Sequence, residues 1–324
     1  MVRDTSTSGV TLQPYPVHDR CLTACQTALV TTSAHSERTV YLNGAFVPDT
    51  AATVSIFDRG LLFADSVYEG FGLIDGQMID YLRHFERLEQ SLSKLEIPLP
   101  MGRDELWHVL AELIERNHAS GEGFLYLQIT RGVAERSYTW EPGMTPTVFA
   151  FTQPRSGPPA SDGPVLRSLT TSPDLRWARR DIKTTNLLAQ VMAKQHAADD
   201  GTSEGLLVKP DGEVTECGSS SFFMVNGRTV LVRPLSHEIL PGVTRRTMLD
   251  LAERGEIKLE ERTFTLDEVF SADEAFTTGS STDVAPVIAV DGRAIGDGLA
   301  GPVTLRLREA YLNDLSSTFY RPES

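Results

Sequence analysis

The 324-residue sequence is poor in long apolar runs and in positive charge. No apolar run approaches the length of a membrane-spanning helix, and residues 1–36 lack the apolar core of a secretory signal. Thirty Lys and Arg stand against 44 Asp and Glu, which gives a formal net charge of −14. Because such a surface repels phosphate backbones, nucleic acid is disfavoured as a partner. The composition predicts a cytoplasmic protein with neither a membrane nor a nucleic-acid partner.

Cysteine is also scarce, with Cys21, Cys25 and Cys217 as the only three. The four-residue step from Cys21 to Cys25 is open to a metal or redox pair, but no second Cys or His pair completes such a site. Free thiols in a cytoplasmic protein are the favoured interpretation, and we expect no metal centre. The first two cysteines fall in a Thr- and Ser-rich stretch, residues 1–37, which we expect to be a poorly ordered extension.

The rest of the chain is long enough for two domains. Asn43-Gly44 between two β-prone runs predicts a hairpin, and residues 53–56, 124–130 and 147–151 are further predicted strands. Apolar periodicity predicts helices over 84–95 and 104–117. In the second half, strands are predicted near 205–208, 221–225, 229–232, 274–278 and 286–290, with helices after Asn186 and Val243.

This mixture of strands and helices lacks strict alternation, so it favours an α+β fold over a doubly wound sheet. Proline and glycine are dense around residues 153–164, which indicates a linker. We therefore expect a small domain over residues 38–153, a linker over 154–164 and a larger domain over 165–324.

Lys183 is the first candidate for chemistry. The apolar residues after it, Leu187, Leu188, Val191 and Met192, predict a buried helix face. A lysine beside such a face loses hydration and becomes a better amine nucleophile, although a surface lysine is the default for this residue type.

Two further features follow Lys183 in the order that a pyridoxal phosphate site requires. Glu216 opens a loop of small residues, and Val243 begins a helix directly after Pro241-Gly242. The cofactor has an aldehyde for an amine, a ring nitrogen for a carboxylate and a phosphate for backbone amides at a helix start. Taken singly, Glu216 would be an exposed turn residue, and the start at Val243 would be an ordinary helix cap. The hydroxyl cluster at residues 278–282 suits phosphate or a turn equally well.

Taken in order, the motifs resemble those of fold-type IV (class IV) pyridoxal phosphate-dependent aminotransferases. The resemblance runs from about Tyr41 to Leu315 and rests on the segments at residues 41–44, 57–69, 84–88, 181–183, 215–216, 240–245 and 278–287. It implies a small N-terminal α/β domain and a larger, barrel-like C-terminal α+β domain. It also implies a homodimer with its active sites near the subunit interface.

The resemblance assigns roles residue by residue. Lys183 would hold the cofactor aldehyde as a Schiff base and carry the proton of the reaction, and Glu216 would meet the ring nitrogen. The other cofactor-binding residues would be Arg87, Leu240, Val243, Thr244, Ser280 and Ser281. Without the resemblance, Arg87 would be interpreted as a solvated arginine on a helix. Tyr68 would line the substrate side.

The segment from Gln128 to Tyr138 is similar to the D-amino-acid transaminases within this family. There, the arginine matching Arg136 binds the substrate α-carboxylate from the neighbouring subunit, and a guanidinium suits bidentate carboxylate recognition. Without the resemblance, Arg136 would be an exposed loop arginine. Tyr138 stands where the D-amino-acid type usually has histidine, Ser221 where it has asparagine and Gly279 where it has a hydroxyl residue.

The function that the resemblance implies is amino transfer from a D-amino acid to a 2-oxo acid, 2-oxoglutarate or pyruvate, by a ping-pong scheme. An R-selective amine transaminase and a branched-chain L-amino-acid transaminase are the alternatives on the same frame. An aminodeoxychorismate-type lyase uses the same lysine and cofactor. A scaffold without activity is disfavoured because Lys183, Glu216 and Arg87 are all present.

Overall fold

The computed structural model describes residues 38–155, 162–255, 257–280 and 283–323. The predicted extension over residues 1–37, with Cys21 and Cys25, lies outside these ranges, as does Ser281. None of the helices in the described ranges combines the length and apolar character needed to span a bilayer.

The first sheet is built from six strands of the N-terminal half, all paired antiparallel. They are β1 (Thr39–Leu42), β2 (Ala45–Pro48), β3 (Ser66–Ile74), β4 (Gln77–Met78), β5 (Gly123–Thr130) and β6 (Thr147–Pro154), in the order β2-β1-β6-β5-β3-β4. Leu42 pairs with Ala45, and Asn43 and Gly44 take positive φ values of 48° and 94°. The predicted hairpin is confirmed, since a two-residue turn of this kind needs positive φ at both positions.

Three helices belong to this half: α1 (Arg59–Phe63), α2 (Tyr81–Lys94) and α3 (Arg103–Arg116). The two long helices confirm the predicted ones, with α2 beginning three residues earlier than expected, and they bury Phe85, Leu88 and Leu110 in a core with the sheet. The strand predicted over residues 53–56 is wrong, because no strand among the described residues pairs with it. Val54 and Ile56 instead leave 43% and 69% of their surfaces exposed.

The second sheet has nine strands from the C-terminal half and mixes parallel with antiparallel pairs. They are β7 (Arg167–Pro173), β8 (Glu204–Val208), β9 (Val214–Cys217), β10 (Ser221–Asn226), β11 (Thr229–Val232), β12 (Lys258–Glu261), β13 (Glu274–Gly279), β14 (Asp283–Val290) and β15 (Arg293–Ala294). The order is β12-β11-β10-β13-β14-β7-β8-β9, with β15 paired to β14. All five strands predicted in this half are confirmed, and the architecture is the expected α+β class.

Four helices accompany the second sheet: α4 (Leu188–Asp199), α5 (Val243–Arg254), α6 (Leu266–Phe270) and α7 (Pro302–Asp314). The buried face predicted for α4 is wrong. Leu188, Val191 and Met192 are 70%, 59% and 43% exposed, whereas Ala193 and Ala197 are the buried residues of the helix. Small side chains let α4 lie close to β7 and β8, so its larger apolar residues face outward.

We propose that the two sheets mark two domains, residues 38–153 and 165–324, joined by a linker over 154–164. β6 ends at Pro154 and β7 begins at Arg167, and residues 156–161 of that linker lie outside the described ranges. The C-terminal segment returns to the first half. Tyr320 stacks on Tyr81 with 5.6 Å between ring centroids and donates a hydrogen bond to Asp104 Oδ1 at 2.6 Å.

Candidate active site

The lysine predicted from the sequence lies where the two sheets meet. Lys183 accepts a hydrogen bond at its carbonyl from the Tyr68 amide (2.9 Å), and its own amide donates to Ser91 Oγ (3.2 Å). Thr184 pairs with Val67 of β3 as an isolated bridge. Lys183 Nζ is 4.1 Å from the centroid of the Tyr68 ring. The backbone of the lysine is therefore held by β3 and α2, elements of the other half of the chain.

A single cavity brings together most of the predicted site residues. It is lined by Tyr68, Arg87, Lys183, Glu216, Leu240, Val243, Thr244 and Ser280. The loop from Cys217 to Ser221 also lines the cavity. Ser221, which stands where the D-amino-acid type usually has asparagine, therefore belongs to the wall of the cavity. These positions are spread over 213 residues of sequence, from 68 to 280, and the fold collects them at one place.

Glu216, at one end of the cavity, is 95% buried on β9. Burial raises the pKa of its carboxyl above the usual range, against the opposing effect of the Arg176 guanidinium. Oε1 accepts hydrogen bonds from Arg176 Nη1 and from the Leu240 amide, the latter at 3.1 Å. Because both contacts fall on Oε1, Oε2 is the oxygen available to a protonated ring nitrogen.

Arg176 is itself fixed by a second carboxylate. Its Nε and Nη2 donate to the two oxygens of the buried Asp174 at 2.9 and 2.8 Å. Thr215 Oγ1 donates to Asp174 Oδ2 at 2.7 Å. Burial alone would raise the pKa of Asp174, but its hydrogen bonds to Arg176 keep that pKa low. The guanidinium is thus oriented before it contacts Glu216.

The opposite end of the cavity is built to receive an anion. The helix α5 begins at Val243 after Gly242, and no side chain in the described part of the chain caps it, so the first amides of the helix remain available. Arg87 reaches this end and donates from Nη1 to the Pro241 carbonyl at 3.0 Å. Gly72 of β3 allows the 278–280 segment to approach, since a Cβ there would lie 2.4 Å from the Ser280 carbonyl oxygen.

Arg87 is not a solvated helical arginine, because it is 93% buried and paired with Glu69. Its Nε and Nη2 donate to the two Glu69 oxygens at 2.9 and 2.7 Å. His84 Nδ1 lies 2.7 Å from Glu69 Oε2, and His84 Nε2 lies 3.3 Å from Ser280 Oγ. Burial alone would raise the pKa of Glu69, but Arg87 and His84 together hold it at about 2.

The residues present fit a pyridoxal phosphate group. Thr278 lines the cavity, is 98% buried and has a hydroxyl with no hydrogen-bond partner among the described residues. A buried polar atom without a partner is costly, so a bound ligand that supplies one is favoured. The uncapped helix and Arg87 match a phosphate, Glu216 matches a basic ring nitrogen, and Lys183 supplies the amine between them.

The structure does not bring Arg136 and Tyr138 into this cavity. Arg136 is exposed, with its guanidinium carbon 5.5 Å from the ring centroid of Phe63 and 5.3 Å from that of Tyr138. Tyr138 is 78% exposed and lines a neighbouring cavity, which shares Trp177 and Thr184 with the first. The two predicted substrate residues therefore do not line the cavity that holds the lysine of their own chain.

The sequence prediction missed the residues that orient the catalytic candidates, namely Glu69, Asp174 and Arg176. Glu69 is adjacent to Tyr68, inside the motif at residues 57–69, so its position was a usable signal. Asp174 and Arg176 precede Lys183 on a connection without regular periodicity, and Glu216, the partner of Arg176, is 40 residues farther along the chain. No local pattern predicts that pairing.

Comparison with known proteins places the chain among aminotransferases. The amino-transferase class IV family model matches residues 66–290. D-alanine aminotransferases from Bacillus licheniformis and Staphylococcus haemolyticus are 37% and 35% identical to it. The matches cover 86% and 84% of this chain and 97% and 96% of theirs.

Solved structures show the same fold. The branched-chain amino acid aminotransferase of Escherichia coli superposes with a TM-score of 0.79 at 23% identity, over 88% of this chain and 96% of the other. The branched-chain enzyme of Thermobaculum terrenum in its PLP form gives a TM-score of 0.77 at 24% identity, over 87% and 95%. The chain therefore belongs to the class IV aminotransferases, which are pyridoxal phosphate-dependent enzymes.

Proposed function

We propose that this enzyme transfers an amino group from a D-amino acid to a 2-oxo acid, 2-oxoglutarate or pyruvate, in a ping-pong reaction. The observation that carries the proposal is the meeting of Lys183, Glu216 and the anion-binding helix start in one cavity. The preference for D-amino acids is supported by relatives named D-alanine aminotransferases at 33–37% identity. It is also supported by the loop that carries Arg136.

Each residue then has a defined task. Bound pyridoxal phosphate supplies an aldehyde and an electron-withdrawing ring. Lys183 Nζ would hold the aldehyde carbon until the substrate amine displaces it, and would then move the proton of the substrate α-carbon, while Glu216 Oε2 would hold a proton on the ring nitrogen. Leu240 would pack against the ring and Tyr68 would border the substrate. The phosphate would be held by Arg87, Val243, Thr244, Ser280 and Ser281.

We further propose that the enzyme works as a homodimer in which Arg136 and Tyr138 serve the site of the partner subunit. Neither residue lines the Lys183 cavity of its own chain, which is consistent with their serving the cavity of a second subunit. The exposed apolar side chains of α4, Leu188, Val191 and Met192, are typical of a subunit interface. The cytoplasmic location expected from the sequence stays a prediction.

The donor preference is tested by adding D-alanine, L-leucine and (R)-1-phenylethylamine separately to the holoenzyme. Loss of the long-wavelength absorbance of the bound cofactor reports the first half-reaction, and the released 2-oxo acid distinguishes transamination from a lyase reaction. We expect D-alanine to react fastest. A faster reaction with L-leucine would assign the branched-chain function, and one with the amine would assign the R-selective function.

The dimeric arrangement is tested by mixing an inactive variant with an impaired one. In a heterodimer of Lys183→Ala and Arg136→Ala subunits, the chain with its lysine intact receives Arg136 from the other chain. One complete site is therefore restored only if Arg136 acts across the interface. We expect D-alanine activity in the mixture after subunit exchange and little in either homodimer. Absence of recovery, with heterodimers demonstrated by mass spectrometry, would place Arg136 outside the partner's site.

Arg136→Ala alone should lower kcat/KM for D-alanine about ten- to a hundred-fold, the effect of one charge-assisted hydrogen bond. (R)-1-phenylethylamine has no carboxylate and should lose much less. Equal losses on both donors would make Arg136 a structural residue.

A further inference from the structure

Glu204, the first residue of β8, is a fully buried carboxylate that the proposed function does not use. Its Oε1 accepts hydrogen bonds from the amide and the hydroxyl of Ser219, both at 2.6 Å. Its Oε2 accepts from Ser220 Oγ at 2.7 Å and from Arg167 Nη1 at 2.8 Å. Burying a carboxylate is costly, and these four donors offset that cost.

Three of the four hydrogen bonds to Glu204 come from the loop that begins directly after Glu216. Residues 217–220 form part of the wall of the candidate active site. The loop is closed by a hydrogen bond from the Cys217 amide to the Ser220 carbonyl (2.9 Å), and the Gly218 amide donates to the Gly205 carbonyl (3.1 Å). The position of this wall relative to β8 is therefore set largely by Glu204 and its neighbour.

The direction of these hydrogen bonds gives the wall a chemical character. A serine hydroxyl has one proton, and Ser219 and Ser220 both donate theirs to Glu204, so toward the cavity they can only accept. The wall thus presents oxygen lone pairs, with the Glu204 carboxylate and its Arg167 partner behind them. Hydroxyls fixed in this way accept hydrogen bonds from an amine or ammonium group and offer no donor to a carboxylate. The end of the cavity near Arg87 has the opposite character.

We propose that Glu204 is a positioning residue that keeps substrate carboxylates away from the serine wall at residues 219–220. By fixing both hydroxyls as acceptors, it leaves the side of Tyr68 and the partner's Arg136 as the favourable place for the α-carboxylate. The orientation of the substrate, and hence the discrimination between D- and L-amino acids, depends on this exclusion. This inference rests on the proposed transaminase function.

The test compares Glu204→Gln with the wild-type holoenzyme. A glutamine amide has an NH2 group at one end, so at least one serine must turn its proton toward the cavity and become a donor. We expect succinate, a carboxylate that is not an amino donor, to bind about tenfold more tightly, as for one charge-assisted hydrogen bond gained. The dissociation constant is read from the shift in cofactor absorbance, which needs no turnover. The ratio of half-reaction rates for D- and L-alanine should fall as well.

Two further variants separate positioning from folding. Ser219→Ala/Ser220→Ala removes the acceptors without removing the buried charge, and we expect a smaller rise in succinate affinity. Glu204→Asp keeps the charge and should remain closer to wild type than Glu204→Gln. The matched control is Glu274→Gln, another buried carboxylate of the same sheet. It caps α7 through the Val303 and Thr304 amides at 3.0 and 2.8 Å, and the cavity-lining residues do not include it.

The outcomes are distinct. If Glu204→Gln and the double serine variant lower the unfolding temperature as Glu274→Gln does, yet leave succinate affinity unchanged, Glu204 is structural and the inference is wrong. If the wild type fails to react with D-alanine, the proposed function fails instead, while the succinate titration still reports on the serine wall.

Discussion

The two ends of the active site contain the same pair of residue types used in opposite ways. At the end proposed for the phosphate, Arg87 lines the cavity and Glu69 orients it. At the end proposed for the ring nitrogen, Glu216 lines the cavity and Arg176 orients it. Both glutamates are at least 95% buried, yet the pKa of Glu69 is held at about 2 and that of Glu216 is raised.

The two pKa values differ because different hydrogen bonds and charges replace the hydration that each carboxylate loses on burial. Glu69 receives two hydrogen bonds from one guanidinium and a third from His84. Glu216 receives one from Arg176 and one from an amide, and the nearby charge of Asp174 opposes its ionisation. Arg176 divides its donors between two acids, so Glu216 retains an affinity for protons. That is the property required of a group that shares a proton with a ring nitrogen.

The largest effect is expected from Glu69→Gln, which leaves Arg87 buried without its counter-charge. Removing one partner of a buried ion pair costs about 3–5 kcal/mol of the free energy of unfolding. Denaturant unfolding of the apoenzyme measures this cost. Glu86→Gln on the same helix is the control, because its pair with Arg246 is more than half exposed and is worth under about 1 kcal/mol. Equal effects of the two variants would contradict the role given to Glu69.

Glu216→Gln should instead affect the reaction more than the fold. The half-reaction with D-alanine should slow by about 10²–10³-fold, or about 2.7–4 kcal/mol in the barrier, as for loss of one preorganised electrostatic partner. Apoenzyme stability should change far less than in Glu69→Gln, because Arg176 keeps both hydrogen bonds to Asp174. Stopped-flow absorbance and denaturant unfolding give the two values. A near-wild-type rate would rule out the ring-nitrogen role.

The two carboxylates should also give opposite pH dependences of apoenzyme stability. The pKa of Glu69 is depressed from 4.5 to about 2, so its contribution is fully present above pH 4.5 and is lost as the pH falls through 2. The difference between wild type and Glu69→Gln should shrink by about 3 kcal/mol over that range. The pKa of Glu216 is raised, so its contribution is present below pH 4.5 and is lost as the pH rises. Unfolding of the three proteins from pH 2 to 7 would show whether the slopes differ in sign.

The smallest effect is expected from Arg176→Lys, which keeps the positive charge but loses the planar fork that bridges Asp174 and Glu216. The expected loss is about that of one charge-assisted hydrogen bond, roughly 1.5–3 kcal/mol. The half-reaction should slow about tenfold, and the pH dependence of the cofactor absorbance should shift because Glu216 is no longer fixed. A slower reaction with an unshifted absorbance profile would make Arg176 a support of the fold alone.

Sequence patterns predicted those parts of this enzyme that depend on local geometry. The Asn43-Gly44 turn follows from backbone preference, and the segments around Lys183, Glu216 and Val243 are short motifs whose order is informative. The pattern failed where burial is decided by distant partners. Leu188, Val191 and Met192 have the spacing of a buried face, but the sheet beneath α4 accepts only its alanines. Arg87 looked solvated because Glu69 lies on a strand 18 residues earlier.

The attachment of Lys183 to β3 limits how the protein can be recombined. The lysine belongs to the second half of the chain, but its backbone is fixed by Tyr68 and Ser91 of the first. Arg87 and His84 of the first half contact Pro241 and Ser280 of the second. A chimera joined at residues 154–164 would separate every one of these pairs. The halves are therefore not exchangeable modules, and relatives can be shuffled successfully only when both sides of the cavity are inherited together.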